Sequence, residues 1–117
     1  MESGNLIVDK TLDFAIEIVK FCELLEEKRK FVIGNQLLRC GTSIGASVNE
    51  AQHAESKADF IHKMKIAIKE ANETRYWLLL CERSGYCQVE SSLLSKTDEI
   101  IRIISKIIIS SKGSLAE

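Results

Sequence analysis

No proline interrupts this chain of 117 residues. Proline ends helices and punctuates loops, so its absence favours a few long helices joined by short turns. The apolar residues follow suit, recurring at alternating spacings of four and three along most of the chain. One stretch, Asn35–Ala54 (NQLLRCGTSIGASVNEAQHA), carries only two formal charges, Arg39 and Glu50. It has too few charges for a solvated face and is too polar to face lipid. It reads as a helix enclosed by other helices.

Four helical segments can be marked. The first runs from about Ile7 to Arg29, with Val8, Leu12, Ala15, Val19 and Cys22 forming a heptad seam and Phe14, Ile18, Phe21 and Leu25 a second row beside it. The basic run Lys28-Arg29-Lys30 ends this segment, where cations complement a helix C-terminus. The second segment, about Val32 to Glu55, contains Gly34, Gly41 and Gly45. Each glycine costs about 1 kcal/mol relative to alanine in a helix. Close approach of a neighbouring backbone at Gly41 and Gly45 would offset that cost. The alternative is a break near Gly41-Thr42 that gives two shorter helices.

Ser56-Lys-Ala-Asp59 resembles a capping box and predicts the start of a third helix, about Lys57 to Arg83. Its seam is Phe60, Met64, Ala67, Ala71, Thr74, Leu78 and Cys81, with Ile61, Ile68 and Leu79 widening the face. Gly85 is available for a left-handed stop. The fourth segment, about Glu90 to Ser111, is rich in β-branched residues, but Leu93, Thr97, Ile100, Ile104 and Ile107 keep the helical spacing and strand alternation fails. Gly113–Glu117 is expected to fray. Short connections make successive helices antiparallel, so the prediction is a single all-α domain, an up-down-up-down antiparallel four-helix bundle.

Charge and cysteine usage narrow the function classes. The net charge is −1, from 16 basic and 17 acidic residues, which gives no global steering toward nucleic acid or an anionic membrane. No apolar run approaches the roughly 20 residues that span a bilayer. The N-terminus MESGNLIVDK lacks the pattern of a secretory signal, so a cytoplasmic location is expected. Cys22, Cys40, Cys81 and Cys87 form no CxxC and have no histidine at ligand spacing, and they read as reduced thiols. Glu50-Ala-Gln-His53 is a single Glu-x-x-His, whereas a di-iron bundle needs two with further glutamates. Asp59 and His62 give only a weaker imitation, and no nucleophile elbow or phosphate loop is present. The chain is therefore expected to be no enzyme, with no metal and no cofactor.

Two polar features remain. Gln36, Arg39, Ser43, Ser47 and Glu50 make a stripe down the second helix, which Glu70 and Glu73 of the third could face. Arg39 is expected to pair with Glu70 or Glu73, because an unpaired buried charge costs several kcal/mol. Such a stripe fixes register more often than it performs chemistry. The third helix is the most basic: Lys57, Lys63, Lys65, Lys69 and Arg75, with Lys28, Arg29 and Lys30, are the candidate contacts for a nucleic-acid backbone. Tyr76 and Trp77 could stack on bases or pack at an interface.

The run N-Q-L-x-R-x-x-x-S-I-x-x-x-x-N-E-A, the A-x-S-x-x-D-F turn and the A-x-K-E-A-x-E-T-x-Y-W-L helix resemble the bacterial four-helix-bundle family of proteins encoded in 23S rRNA intervening sequences. The resemblance covers the second and third helices. It implies a cytoplasmic, non-enzymatic bundle. It also implies a ring-shaped homopentamer, as in the related accessory variability protein of diversity-generating retroelements, an adaptor that binds nucleic acid and a reverse transcriptase through a strongly basic surface. This chain departs from that relative in its slightly negative net charge. The expectation is an oligomeric scaffold or adaptor, its partners further copies of itself and a nucleic acid or a protein; the alternative is an accessory protein that binds RNA or DNA through the third helix.

Overall fold

The computed structural model describes residues 5–116, with side chains through Gly113. Four helices follow one another: α1 (Leu6–Glu27), α2 (Phe31–Ala51), α3 (Lys57–Ser84) and α4 (Ser91–Ala116). Among the described residues there is no strand. The short connections reverse the chain each time and produce the up-down-up-down bundle. Its extents are 51 × 29 × 21 Å.

The helix ends show which local signals set them. Ser56 caps α3, its hydroxyl accepting the Asp59 N–H at 3.0 Å. The Asp59 carboxylate accepts the Glu55 N–H at 3.1 Å, one residue earlier than in the usual box. Gly85 stops α3 with φ 72°. α1 stops at Glu27, before the predicted Arg29, and the three cations follow the helix rather than forming its last turn. Arg29 adopts φ 60°. Its N–H bonds to Glu26 O at 2.9 Å and the Lys30 N–H to Leu25 O at 2.8 Å. These two bonds make a Schellman closure with arginine where glycine is usual.

α2 ends at Ala51 rather than Glu55 and runs unbroken through Gly41-Thr42. α4 continues to Ala116, so Gly113 does not end it and residues 113–116 are helical. Glu117, also expected to fray, lies outside the described residues.

The core is built from one row of each helix. Phe14, Ile18 and Leu25 of α1 meet Leu37, Ile44 and Val48 of α2, Met64 and Leu78 of α3, and Ile100 and Ile104 of α4. For α3 and α4 the predicted seams are largely these inward rows, with Phe60 and Ile107 only half-buried. In α1 the second row is the more deeply buried, joined by Cys22 of the first. Ile7, Thr11, Phe14, Ile18, Cys22 and Leu25 are buried, whereas Leu12 and Val19 of the predicted seam face solvent. Both rows have helical spacing, and spacing alone does not say which one faces inward.

Three threonines also sit in the core. Thr11, Thr74 and Thr97 each donate the hydroxyl to the carbonyl one turn back, at 2.8, 2.8 and 2.7 Å. The bond satisfies the polar group within its own helix, so threonine can occupy a core position there.

α2 packs on α1 and α3, α3 on α4, and α1 meets α4 most loosely. α2 is therefore not enclosed: its outer face carries Val32, Leu38 and Arg39 into solvent. The glycines of α2 bring it close to α1. A Cβ added at Gly41 would lie 2.8 Å from Ile18 Cγ2, and one at Gly45 would lie 3.2 Å from the Thr11 carbonyl oxygen. Ile18 is fully buried and β-branched, so its methyl has nowhere to rotate. The α1–α4 seam is bridged by ion pairs, Lys10–Glu99 at 3.0 Å and Lys96 to both Glu17 oxygens at 2.9 and 2.8 Å. Glu17 is also what raises the Lys96 pKa, chiefly through that hydrogen bond.

These contacts separate the glycines. In Gly41→Ala, overpacking of about 1–3 kcal/mol outweighs the roughly 1 kcal/mol gained in helix propensity, and chemical denaturation is expected to show a net loss. Gly34→Ala meets only an ordinary 3.5 Å contact with Leu25 Cβ. That variant is expected to unfold at the same or higher denaturant concentration than wild type.

Candidate functional site

The predicted polar stripe divides on folding. Arg39, from the middle of α2, reaches α3 and holds three groups. Its guanidinium pairs with Glu73, lies 3.5 Å from Glu70 Oε2 and donates to Gln36 Oε1 at 3.1 Å. The Trp77 indole N–H joins the cluster by donating to Glu73 Oε2 at 3.4 Å. Arg39 is half exposed at 51 %, while the Glu70 side chain is only 18 % exposed. Glu70 Oε2 is enclosed, and no hydrogen bond reaches it among the described residues. The nearby guanidinium is what balances its charge.

The other stripe members lie outside this cluster. Ser43 turns its hydroxyl back to the Arg39 carbonyl at 2.6 Å. Ser47 is buried in the core. Glu50 stands 4.0 Å from Lys63 further along the seam. His53 lies beyond the end of α2 in an exposed turn, and His62 is exposed on α3. Among the described residues, no group of three or more His, Cys, Asp and Glu gathers at metal-binding distance.

The candidate nucleic-acid contacts are scattered more widely than the sequence suggests. Lys28, Arg29 and Lys30 lie at the α1–α2 turn, at the opposite end of the bundle from Lys57 at the start of α3. Lys30 sits 4.4 Å above the Tyr86 ring, a cation–π contact. Lys63 is engaged by Glu50, and Arg75 bonds Asp98 of α4 at 2.7 Å. Lys65 and Lys69 stay on the outer face of α3. Lys112 of α4 comes alongside Lys65 and lowers its pKa, first through the contact between the two amines and then through charge repulsion. Tyr76 is exposed and meets Trp77 edge-on, with ring centroids 5.3 Å apart.

Sequence reasoning missed the partners that lie far along the chain, Asp98 for Arg75 and Lys112 beside Lys65. The apolar arc of the first helix, wider in the sequence than one partner requires, leaves an exposed apolar strip in the structure. Leu12 and Val19 of α1 and Phe31 and Leu38 of α2 face solvent along the α1–α2 seam, with Leu12 at 59 % and Phe31 at 50 % exposure. Val8, Ala15, Gly45 and Ala46 line the groove beside Leu12, and Val19, Phe31 and Leu38 border a second depression along the same seam. The two parallel apolar rows on the first helix, where one suffices for burial, are the sequence signal of that strip.

Removing the guanidinium tests the cluster. Arg39→Ala strands Glu70 and is expected to lower stability by about 1–2 kcal/mol, at the low end of the usual range because Arg39 is half exposed. Adding Glu70→Gln in the same chain is expected to recover part of that loss in thermal unfolding, since a neutral amide needs no cation.

The fold and this polar cluster can now be set beside known proteins. A family model described as 23S rRNA-intervening sequence protein matches residues 4–106. No curated protein matches. A crystal structure of a protein of unknown function from the S23 ribosomal protein family of Bacteroides thetaiotaomicron superposes with a TM-score of 0.83 at 47 % identity, over 87 % of this chain and 97 % of that one. The matched span takes in all of α1, α2 and α3 and most of α4, and the chain belongs to the 23S rRNA-intervening sequence protein family.

Proposed function

We propose that this protein is a cytoplasmic homo-oligomeric scaffold or adaptor with no chemistry of its own. The observation that carries the reading is the apolar strip of Leu12, Val19, Phe31 and Leu38 along the α1–α2 seam. Large apolar side chains exposed along one seam are what an association surface requires. A second apolar group lies on the other flank of α2. Arg39 opposite Glu73 sets the antiparallel register, which places exposed Val32 opposite exposed Leu80, one turn from exposed Tyr76. Two different apolar faces on one molecule favour head-to-tail association, which closes into a ring when the rotation allows. A ring of five is the number that the family resemblance implies, with a nucleic acid or a second protein as the further partner.

A second reading, binding to an RNA or DNA backbone, is favoured by one observation. Lys65 meets Lys112 on the outer α3–α4 side and is disfavoured as a cation by it, and exposed Lys69 follows one turn along α3. A phosphate placed there would relieve that repulsion. The accessory variability protein of diversity-generating retroelements remains the model for such an adaptor.

Light scattering at micromolar concentration tests the scaffold. The wild-type protein is expected to run as a stable oligomer, and Leu12→Glu with Leu38→Glu as a folded monomer, since exposed positions tolerate charge in the monomer. A wild-type monomer would overturn the reading. Titration of the same preparations with single-stranded RNA decides the second. Affinity that falls steeply with salt and drops in Lys65→Glu/Lys69→Glu supports it, and no binding at low salt removes it.

A further inference from the structure

The four thiols are not equivalent. Cys22, Cys40 and Cys81 lie on helices, whereas Cys87 lies in the connection between α3 and α4. Cys22 donates to the Gly34 carbonyl at 3.4 Å and Cys40 to the Leu37 carbonyl at 3.9 Å, so each has a partner on or near its own seam. Cys81 and Cys87 are tied to one another instead. Gly85, with φ 72°, turns the chain back at the end of α3. The Cys87 N–H then bonds the Cys81 carbonyl at 3.5 Å. The side chains meet as well: the Cys81 and Cys87 thiols share a hydrogen bond. Cys81 is fully buried in the core, and Cys87 lies at its rim with 9 % exposure.

We propose that Cys81 and Cys87 are a modification site: a dithiol that closes to an intramolecular disulfide by exchange with a low-molecular-weight disulfide such as oxidised glutathione. Cys87 is the entry point because it lies at the rim. Its thiolate attacks one sulfur of the small disulfide, forming a mixed disulfide and releasing one glutathione thiolate. The Cys81 thiolate then attacks the Cys87 sulfur and displaces the second. Two protein thiols and one small disulfide become one protein disulfide and two small thiols, so the two protons leave with the products. The proposal concerns the α3–α4 end of the bundle and does not rest on the scaffold reading.

The second step has a built-in brake. Burial is the largest cause that holds the Cys81 thiol well above its ordinary range, and it persists once Cys87 carries glutathione. The charged and titratable groups that act on Cys81 are Cys87 of the connection, Lys30 of the α1–α2 turn, which favours the thiolate, and Cys22 of α1, which opposes it. Because the reacting species is the thiolate and burial keeps its population low, ring closure is expected to accelerate as pH rises from 7 to 9, by up to about tenfold for each unit.

The test uses the full chain under native conditions with excess oxidised glutathione, followed by alkylation and tryptic digestion. Cleavage after Arg75, Arg83 and Lys96 places the two cysteines in adjacent peptides, Tyr76–Arg83 and Ser84–Lys96. The expected result is a linked pair about 2 Da lighter than the sum of its parts that separates on reduction, with Cys22 and Cys40 free. In Cys81→Ser, Cys87 is expected to stop at the glutathione mixed disulfide. Wild-type protein in which Cys87 holds glutathione while Cys81 stays free, or in which either cysteine links to Cys22 or Cys40, would overturn the proposal. The wild-type map decides the matter even if the serine variant does not fold.

Discussion

The bundle depends on how closely α1 and α2 approach one another. Two glycines on α2 set that distance, one accommodating the Ile18 side chain and the other the backbone at Thr11. A methyl group at either place would push the helices apart. Close approach on this side also brings the inward row of α1 over Leu37, Ile44 and Val48, and leaves the other apolar row of α1 stranded at the outer edge of the seam. The same contact thus accounts for a well-filled core and for the surface strip beside it. The glycines give up about 1 kcal/mol each in helix propensity, and the dense contact between the two helices offsets it.

On the opposite flank of α2 the logic is electrostatic. Arg39 gathers two carboxylates and an amide from α2 and α3, and one of those carboxylates would otherwise be enclosed without compensation. Pairing of this kind adds little net stability at a half-exposed position. It does penalise any slip of α3 against α2, since a shifted register would leave Glu70 without its cation. α2 is therefore fixed by shape on one side and by charge on the other.

Much of this was legible in the sequence, and unevenly so. α3 was the clearest, because its predicted row from Met64 to Cys81 is the buried one and Ser56, Asp59 and Gly85 mark its two ends. α1 has two rows of equal regularity, and periodicity records spacing but not direction, so the sequence showed an apolar arc too wide for one partner without showing which row turns inward. The end of α1 was missed for a different reason. The usual signal for a left-handed stop is glycine, and here arginine fills that role. Within the polar cluster, the pairing of Arg39 with α3 followed from the rule that enclosed charges find partners. Pairs such as Lys10–Glu99 and Arg75–Asp98 did not, because nothing local links residues so far apart in the chain.

The α1–α4 seam has a consequence for how the molecule breathes. Three of the four sides are closed by interlocked apolar rows between helices adjacent in the chain, which form early because little loop entropy is lost. The fourth joins the first helix to the last through half-exposed lysine–glutamate bridges. Such bridges weaken as salt screens them. The lowest-energy opening of the bundle is thus a hinge-like parting of α1 from α4, with α1 still held to α2 at its glycine contacts. Amides near that parting line exchange with solvent through this local route, without waiting for global unfolding.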